Sequence, residues 1–159
     1  LGSAHPRNAP YQAFSASDGY FAMAAGNDKL WAAVCAVVGL PQLLDDVRFT
    51  TTTDRAANQG IIKNLLEEKF SEATSTEWLE RFNAVGVPCA PINTYSEVLA
   101  DEQVKHLGLV APLKLPSGVE TKTVVSPIRL NGEVHGVRRE PPTLGEHNDE
   151  VFDALIAGD

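Results

Sequence analysis

The tightest constraint on the fold lies in the first third of the chain, where proline, turn and apolar residues alternate at short intervals. The run His5-Pro-Arg-Asn-Ala-Pro-Tyr-Gln-Ala-Phe14 reads as an extended arm over residues 1–10, fixed by Pro6 and Pro10, leading into a strand at Tyr11–Phe14. Asp18-Gly19 supplies a turn, and Tyr20–Ala25 returns as a second strand. A polar elbow, Gly26-Asn27-Asp28, ends that strand. Beyond it Leu30, Trp31, Val34, Val37 and Val38 follow helical spacing, with Asn27 or Asp28 as the cap. Gly39, with Pro41 just beyond, ends the helix. The backbone amides of the first helical turn therefore face outward at the elbow.

Helices continue through the middle of the chain. Pro41–Asp46 reads as one proline-opened turn, and the threonines at 50–53 cap a helix from about Asp54 to Phe70, with Ile62, Leu66 and Phe70 on one face. Thr74 or Ser75 opens the next helix. Thr74 and Glu77 have capping-box spacing, and Trp78, Leu79, Phe82 and Val85 form the apolar stripe, closed by Gly86. Mutual packing of these helices accounts for both tryptophans. Val87–Ile92 reads as extended; Thr94 and Glu97 repeat the capping pattern before Tyr95–Ala100, and a short helix covers Asp101–His106. Leu109–Leu115 and Val119–Val125 then pair as strands about Pro116-Ser117-Gly118, with Pro112 marking an edge. A polar stretch from Ser126 to Pro142 precedes a final amphipathic helix carrying Val151, Phe152, Leu155 and Ile156. The fold class is α+β: central helices, short strands near both ends, and a C-terminal hairpin and helix. The change of character places a domain boundary between residues 106 and 107, giving 1–106 and 107–159.

Composition narrows the function classes. With 43% apolar and 21% charged residues the chain reads as globular, and no apolar run reaches the roughly 20 residues of a membrane span. The net charge of −8 comes with scattered basic residues, only Arg138 and Arg139 being adjacent, which disfavours nucleic acid and anionic membranes as partners. Cys35 and Cys89 stand alone, form neither a metal pattern nor a disulfide framework, and read as reduced packing residues. That points to the cytoplasm. Leu1 is not an initiator methionine and no signal peptide is visible, so the expectation is a chain without its natural beginning.

Few residues offer chemistry. His106, His135 and His147 lie in separate segments without ligands at metal spacing, so no metal site is expected. There is no Gly-x-Ser-x-Gly, phosphate loop or dinucleotide fingerprint, and no serine has a fixed base partner. What remains is the elbow carboxylate of Asp28 beside Asn27, either of which can be a helix cap. His5 in the arm reads as solvated, or as a contributor to acid–base work.

Several blocks resemble a known family: the opening run through Trp31, Asp46-Val-Arg-Phe49, Arg55-Ala-Ala-Asn58, Gly86-Val-Pro-Cys-Ala-Pro91 and Leu144-Gly-Glu-His-Asn-Asp-Glu-Val151. Together they resemble the small domain and C-terminal segment of family III CoA-transferases, the CaiB/BaiF group. The resemblance implies transfer of CoA between an acyl-CoA and a carboxylic acid through an aspartyl-acyl anhydride, with CoA and acyl-CoA as substrates and no tightly bound cofactor. It implies that the catalytic aspartate lies upstream of Leu1, so that this chain alone is inactive. It also implies an interlocked homo-oligomer, or a companion large domain, whose acyl-CoA the small domain covers. In the racemase branch an acidic residue at the position of Asp28 supports a catalytic histidine of the large domain. In formyl-CoA transferase-like members a glycine-rich loop closes over the acyl group at the position of Gly2 to Pro6. Gly2, Asn27 and Asp28 are thus candidates for the acyl and thioester side, with Asp28 and His5 as supporting residues. Two alternatives stand beside this reading: a stand-alone binding or oligomerisation module, and part of an α-methylacyl-CoA racemase. The Leu144–Val151 block reads as structural, its Glu146, Asp149 and Glu150 suiting the dipole of the last helix.

Overall fold

Strands β1 (Tyr11–Ser15) and β2 (Tyr20–Ala24) form the hairpin that the Asp18-Gly19 turn demands, in a register that sets Phe14 opposite Phe21. The molecule is seen here as a computed structural model that describes residues 2–134 and 136–157; His135 lies outside the described residues. A third strand, β3 (Cys89–Pro91), pairs antiparallel with β2. Because side chains alternate across a sheet, Phe14, Phe21 and Met23 are buried on one face while Ala13, Ala22 and Ala24 line the other. The elbow follows β2 directly. Helix α1 (Asp28–Val37) is capped by Asn27, whose side chain accepts from Leu30 N, and a 3₁₀ turn covers Pro41–Leu44.

The stretch read as one helix from Asp54 to Phe70 is two: α2 (Thr52–Ala57) and α3 (Gln59–Phe70). Asn58 makes the break. Its side-chain amide donates to Asp54 O at 2.9 Å and to Arg48 O at 3.1 Å, competing with the helical ladder and tying the joint to the preceding loop. Helix α4 (Ser75–Ala84) carries the complete Thr74–Glu77 capping box. The core then closes around Phe70. Its ring lies edge-on to Phe14, Phe21, Trp78 and Phe82 with centroids 5.0–5.9 Å apart, within the range where aromatic pairs add to simple burial. The buried Trp78 indole also donates to Phe70 O at 2.9 Å.

The chain divides into two compact units, Leu1–Ile92 and Asn93–Asp159, not at the 106/107 boundary read from the change of sequence character. The second unit holds α5 (Tyr95–Ala100), α6 (Glu102–His106), the hairpin β4 (Val110–Lys114) and β5 (Glu120–Val124), a two-residue pairing of β6 (Arg129–Leu130) with β7 (Glu133–Val134), and α7 (Asn148–Ala157). The short helices belong with the hairpin because Leu109 N donates to Val104 O and Val125 N donates to Leu109 O, chaining α6 to both strands. The β6–β7 pairing lies in the polar stretch from Ser126 to Pro142, to which the sequence assigns no strand; Asn131 at φ 53° and Gly132 at φ 83° supply its turn. No helix among the described residues is long and apolar enough to cross a membrane.

Candidate functional site

The elbow that joins sheet to helix is built around a side chain whose role the sequence does not announce. Arg55, on α2, is fully buried, and all five of its N–H donors find an acceptor. Nε donates to Ala9 O at 3.2 Å; Nη1 donates to Phe49 O at 3.0 Å and Thr50 O at 3.4 Å. Nη2 donates to Thr52 Oγ1 at 3.2 Å and to Asp28 Oδ1 at 2.6 Å. The guanidinium also lies 5.9 Å from the Trp31 ring centre. One cation therefore ties together the arm, the first turn of α1, the loop before α2 and α2 itself. A buried charge is tolerated only when paired and hydrogen-bonded, and Asp28 is its one carboxylate partner among the described residues.

Asp28 itself stays in the open. Asn27 takes the cap, so Asp28 is the first residue of α1, where its charge suits the helix dipole. Its side chain is 79% exposed although Oδ1 is held by Arg55. The result is a fixed carboxylate at the surface, with Oδ2 unshared among the described residues. Gly26 is required beside it: a Cβ there would come within 2.8 Å of Asn8 Cβ, so only glycine lets the arm lie against the elbow.

The arm is folded, not extended. Ser3 Oγ accepts from Ala13 N at 3.1 Å, His5 N donates to Tyr11 O at 2.9 Å, and Ala25 N donates to Pro10 O at 2.7 Å. The bonds of Ser3 and His5 cover the outer edge of β1, where Ser15 N is also taken by Glu67 Oε1 at 2.9 Å, and the Ala25–Pro10 bond extends the β1–β2 ladder by one rung. Burial alone would raise the Glu67 carboxyl, but bonds from Lys63 and from Ser15 N hold it below the usual carboxylate range. His5 is correspondingly not free. Its Nδ1 accepts from Arg7 N at 3.2 Å and Asn8 N at 3.0 Å, and its ring stacks on Tyr11 at 5.2 Å. Gly2 opens the arm at φ +58°, a left-handed conformation that favours glycine. The structure thus brings Asn27 and Asp28 together, sets the arm against them through Asn8, and leaves Gly2 and His5 on the arm without a hydrogen bond to Asp28.

Other groups are chemically quiet. Burial pushes the Cys35 thiol up to about 12 and raises the Cys89 thiol, so neither is a ready thiolate. His147 faces Glu150 at 3.4 Å on α7, and Arg139 pairs with the same carboxylate at 3.1 Å. No cluster of three or more metal-ligating side chains occurs among the described residues. The outer face of the sheet carries a groove of about 400 Å³, lined by Ser3, Tyr11, Ala13, Ala22, Ala24 and Ala90 among others; its walls are apolar and hold no charge.

Comparison with known proteins places these features in context. The chain is 34% identical over 99% of its length to a human succinyl-CoA:glutarate CoA-transferase, spanning 36% of that protein. It is 30% identical over 98% of its length to succinate--glutarate CoA-transferase of Agrobacterium fabrum, spanning 39%. Among solved structures, a CAIB/BAIF family protein from Brucella suis superposes with a TM-score of 0.75 at 36% identity, covering 98% of this chain and 40% of that one. The chain therefore spans little more than a third of the length of the relatives it matches. Residues 1–148 match the pattern of CoA-transferase family III, so the folded arm, the elbow and the helices that pack behind them have their counterpart there: the chain belongs to CoA-transferase family III.

Proposed function

We propose that this chain serves as the small-domain portion of a family III CoA-transferase and takes part in moving CoA from an acyl-CoA to a carboxylic acid only with a nucleophile-bearing portion it does not contain. The observation that carries the reading is the family match over residues 1–148 joined to a span of 36–40% of the relatives' length. In the reaction, a carboxylate of the other portion attacks the acyl-CoA carbonyl carbon and expels CoA thiolate, leaving an acyl–enzyme anhydride. The thiolate then attacks the enzyme carbonyl of that anhydride, releasing the donor acid and forming an enzyme–CoA thioester. The acceptor carboxylate displaces the thiolate to give a second anhydride. Attack of the thiolate on the acceptor carbonyl yields the new acyl-CoA and restores the enzyme carboxylate.

This chain's part is to cover that chemistry from above, presenting the arm and the Asp28 carboxylate to the thioester side. Dicarboxylic acids of four or five carbons are the proposed substrate class, supported by the names of the human and Agrobacterium relatives. The acidic elbow residue favours one alternative, thioester racemisation, in which Asp28 would support a histidine of the other portion. The test is to assay succinyl-CoA with glutarate, and separately a chiral 2-methylacyl-CoA, using the purified chain alone and the chain together with the nucleophile-bearing part of the Brucella suis relative. Glutaryl-CoA is expected only from the combination. Formation by the chain alone contradicts the reading; racemisation without CoA transfer selects the alternative.

A further inference from the structure

We propose that Arg55 is a positioning residue for the reaction, acting through Asp28: it holds Oδ1 so that the free Oδ2 is presented in one orientation to an N–H donor of the nucleophile-bearing portion. The inference rests on the functional reading above and deepens it. Three observations carry it. Arg55 is fully buried with every N–H bonded, so the guanidinium cannot swing. Four of its five acceptors are backbone carbonyls or a hydroxyl, so most of the bonds that fix the fork are made by groups other than Asp28. Asp28, in contrast, projects with 79% of its side chain in the open.

A buried cation satisfied by neutral acceptors still needs a counter-charge, but that charge could have been buried beside it. Here it lies at the surface, on the elbow that the arm flanks. A surface carboxylate ordinarily rotates freely about its terminal torsion. This one is tied by a 2.6 Å charge-assisted bond, which removes that freedom before any partner arrives. Preorganisation of this kind appears in the rate, since a misplaced catalytic contact of about 1 Å can cost on the order of a hundredfold.

The experiment uses the chain assembled with the nucleophile-bearing part of the Brucella suis relative, assayed with succinyl-CoA and glutarate. Arg55→Lys keeps a cation but loses the planar fork; kcat is expected to fall about tenfold or more with KM nearly unchanged. Asp28→Asn, at an exposed site, lets the amide oxygen keep the bond from Nη2 and turns an N–H outward in place of the acceptor. It should lower kcat to a similar degree, and the double variant should fall no further than either single one. Folding of each variant is checked by its melting temperature and near-ultraviolet circular dichroism. If Arg55→Lys fails to fold, Asp28→Asn alone decides: a kcat within twofold of the parent overturns the proposal. An additive double variant overturns it too, because Arg55 would then act on the rate by another route. An inactive parental assembly overturns the functional reading and this inference with it. An active parent with unaffected variants overturns the positioning role only.

Discussion

The two compact units of this chain solve the burial problem in opposite ways. In residues 1–92 five aromatic rings pack around and including Phe70, and even a guanidinium is enclosed. In residues 93–157, Val125 is the one buried side chain among those described, while Phe152, Leu155 and Ile156 on α7 are 57–85% exposed. Secondary structure is well formed in both. The second unit is held by local devices: the Thr94–Glu97 capping box, the Asp101 cap and the β4–β5 ladder. Regular structure and a core are thus separable. An amphipathic helix needs an apolar surface to cover its stripe, and the second unit does not supply one for α7.

The largest expected effect tests that contrast. Phe70→Ala should cost about 3–5 kcal/mol of unfolding free energy in urea, through the cavity it leaves, whereas Phe152→Ala on α7 should change it by less than about 0.5 kcal/mol. Equal losses would break the comparison. Next, Gly26→Ala forces Asn8 away from the elbow and should cost about 1–3 kcal/mol, with the amides of His5 and Ala13, whose bonds join the arm to β1, losing hydrogen-exchange protection first. Smaller still, Thr74→Ala and Thr94→Ala remove the same capping box from the two units. The first should cost about 1 kcal/mol of cooperative stability; the second should fray α5 in exchange experiments and leave the main transition in place.

The smallest effect is the response to acid. Bonds from the Arg48 side chain and backbone hold the Asp46 carboxyl down at about 2. Bonds from Thr74 and Thr94 likewise depress Glu77 and Glu97. A carboxyl whose folded value is depressed stabilises the fold above its unfolded value and loses that contribution as pH falls through the folded one. The melting temperature should therefore be flat above about pH 5 and decline from about pH 4 towards pH 2. Asp46→Asn should shallow that decline; a steeper one would contradict the assignment.

Much of the first unit is legible in the sequence because its signals are local. The strand pair about Asp18-Gly19, the elbow before α1 and the Thr74–Glu77 box each depend on residues within a few positions of one another. Asn58 breaks the expected long helix because its amide reaches back to Arg48 O, a bond that apolar periodicity cannot register. The arm reads as extended from its prolines, yet folds because Ser3 and His5 meet β1. Arg55 was visible only as part of a family block, since arginine in a polar helix ordinarily reads as solvated. Its acceptors at Ala9 and Asp28 lie far away in sequence, and that is why the joint holding the candidate site together is the feature least readable from the string.

The most direct test of the central claim is covalent trapping on the purified 159-residue chain. The chain is incubated with succinyl-CoA, treated with hydroxylamine or borohydride, and mapped by mass spectrometry. An anhydride or CoA-thioester intermediate would leave a hydroxamate or a reduced carboxyl at the attacked aspartate or glutamate. The account predicts an unmodified chain, with trapping confined to the nucleophile-bearing part when that part is added. A specific adduct on any carboxylate of this chain, formed without a second protein, would contradict it.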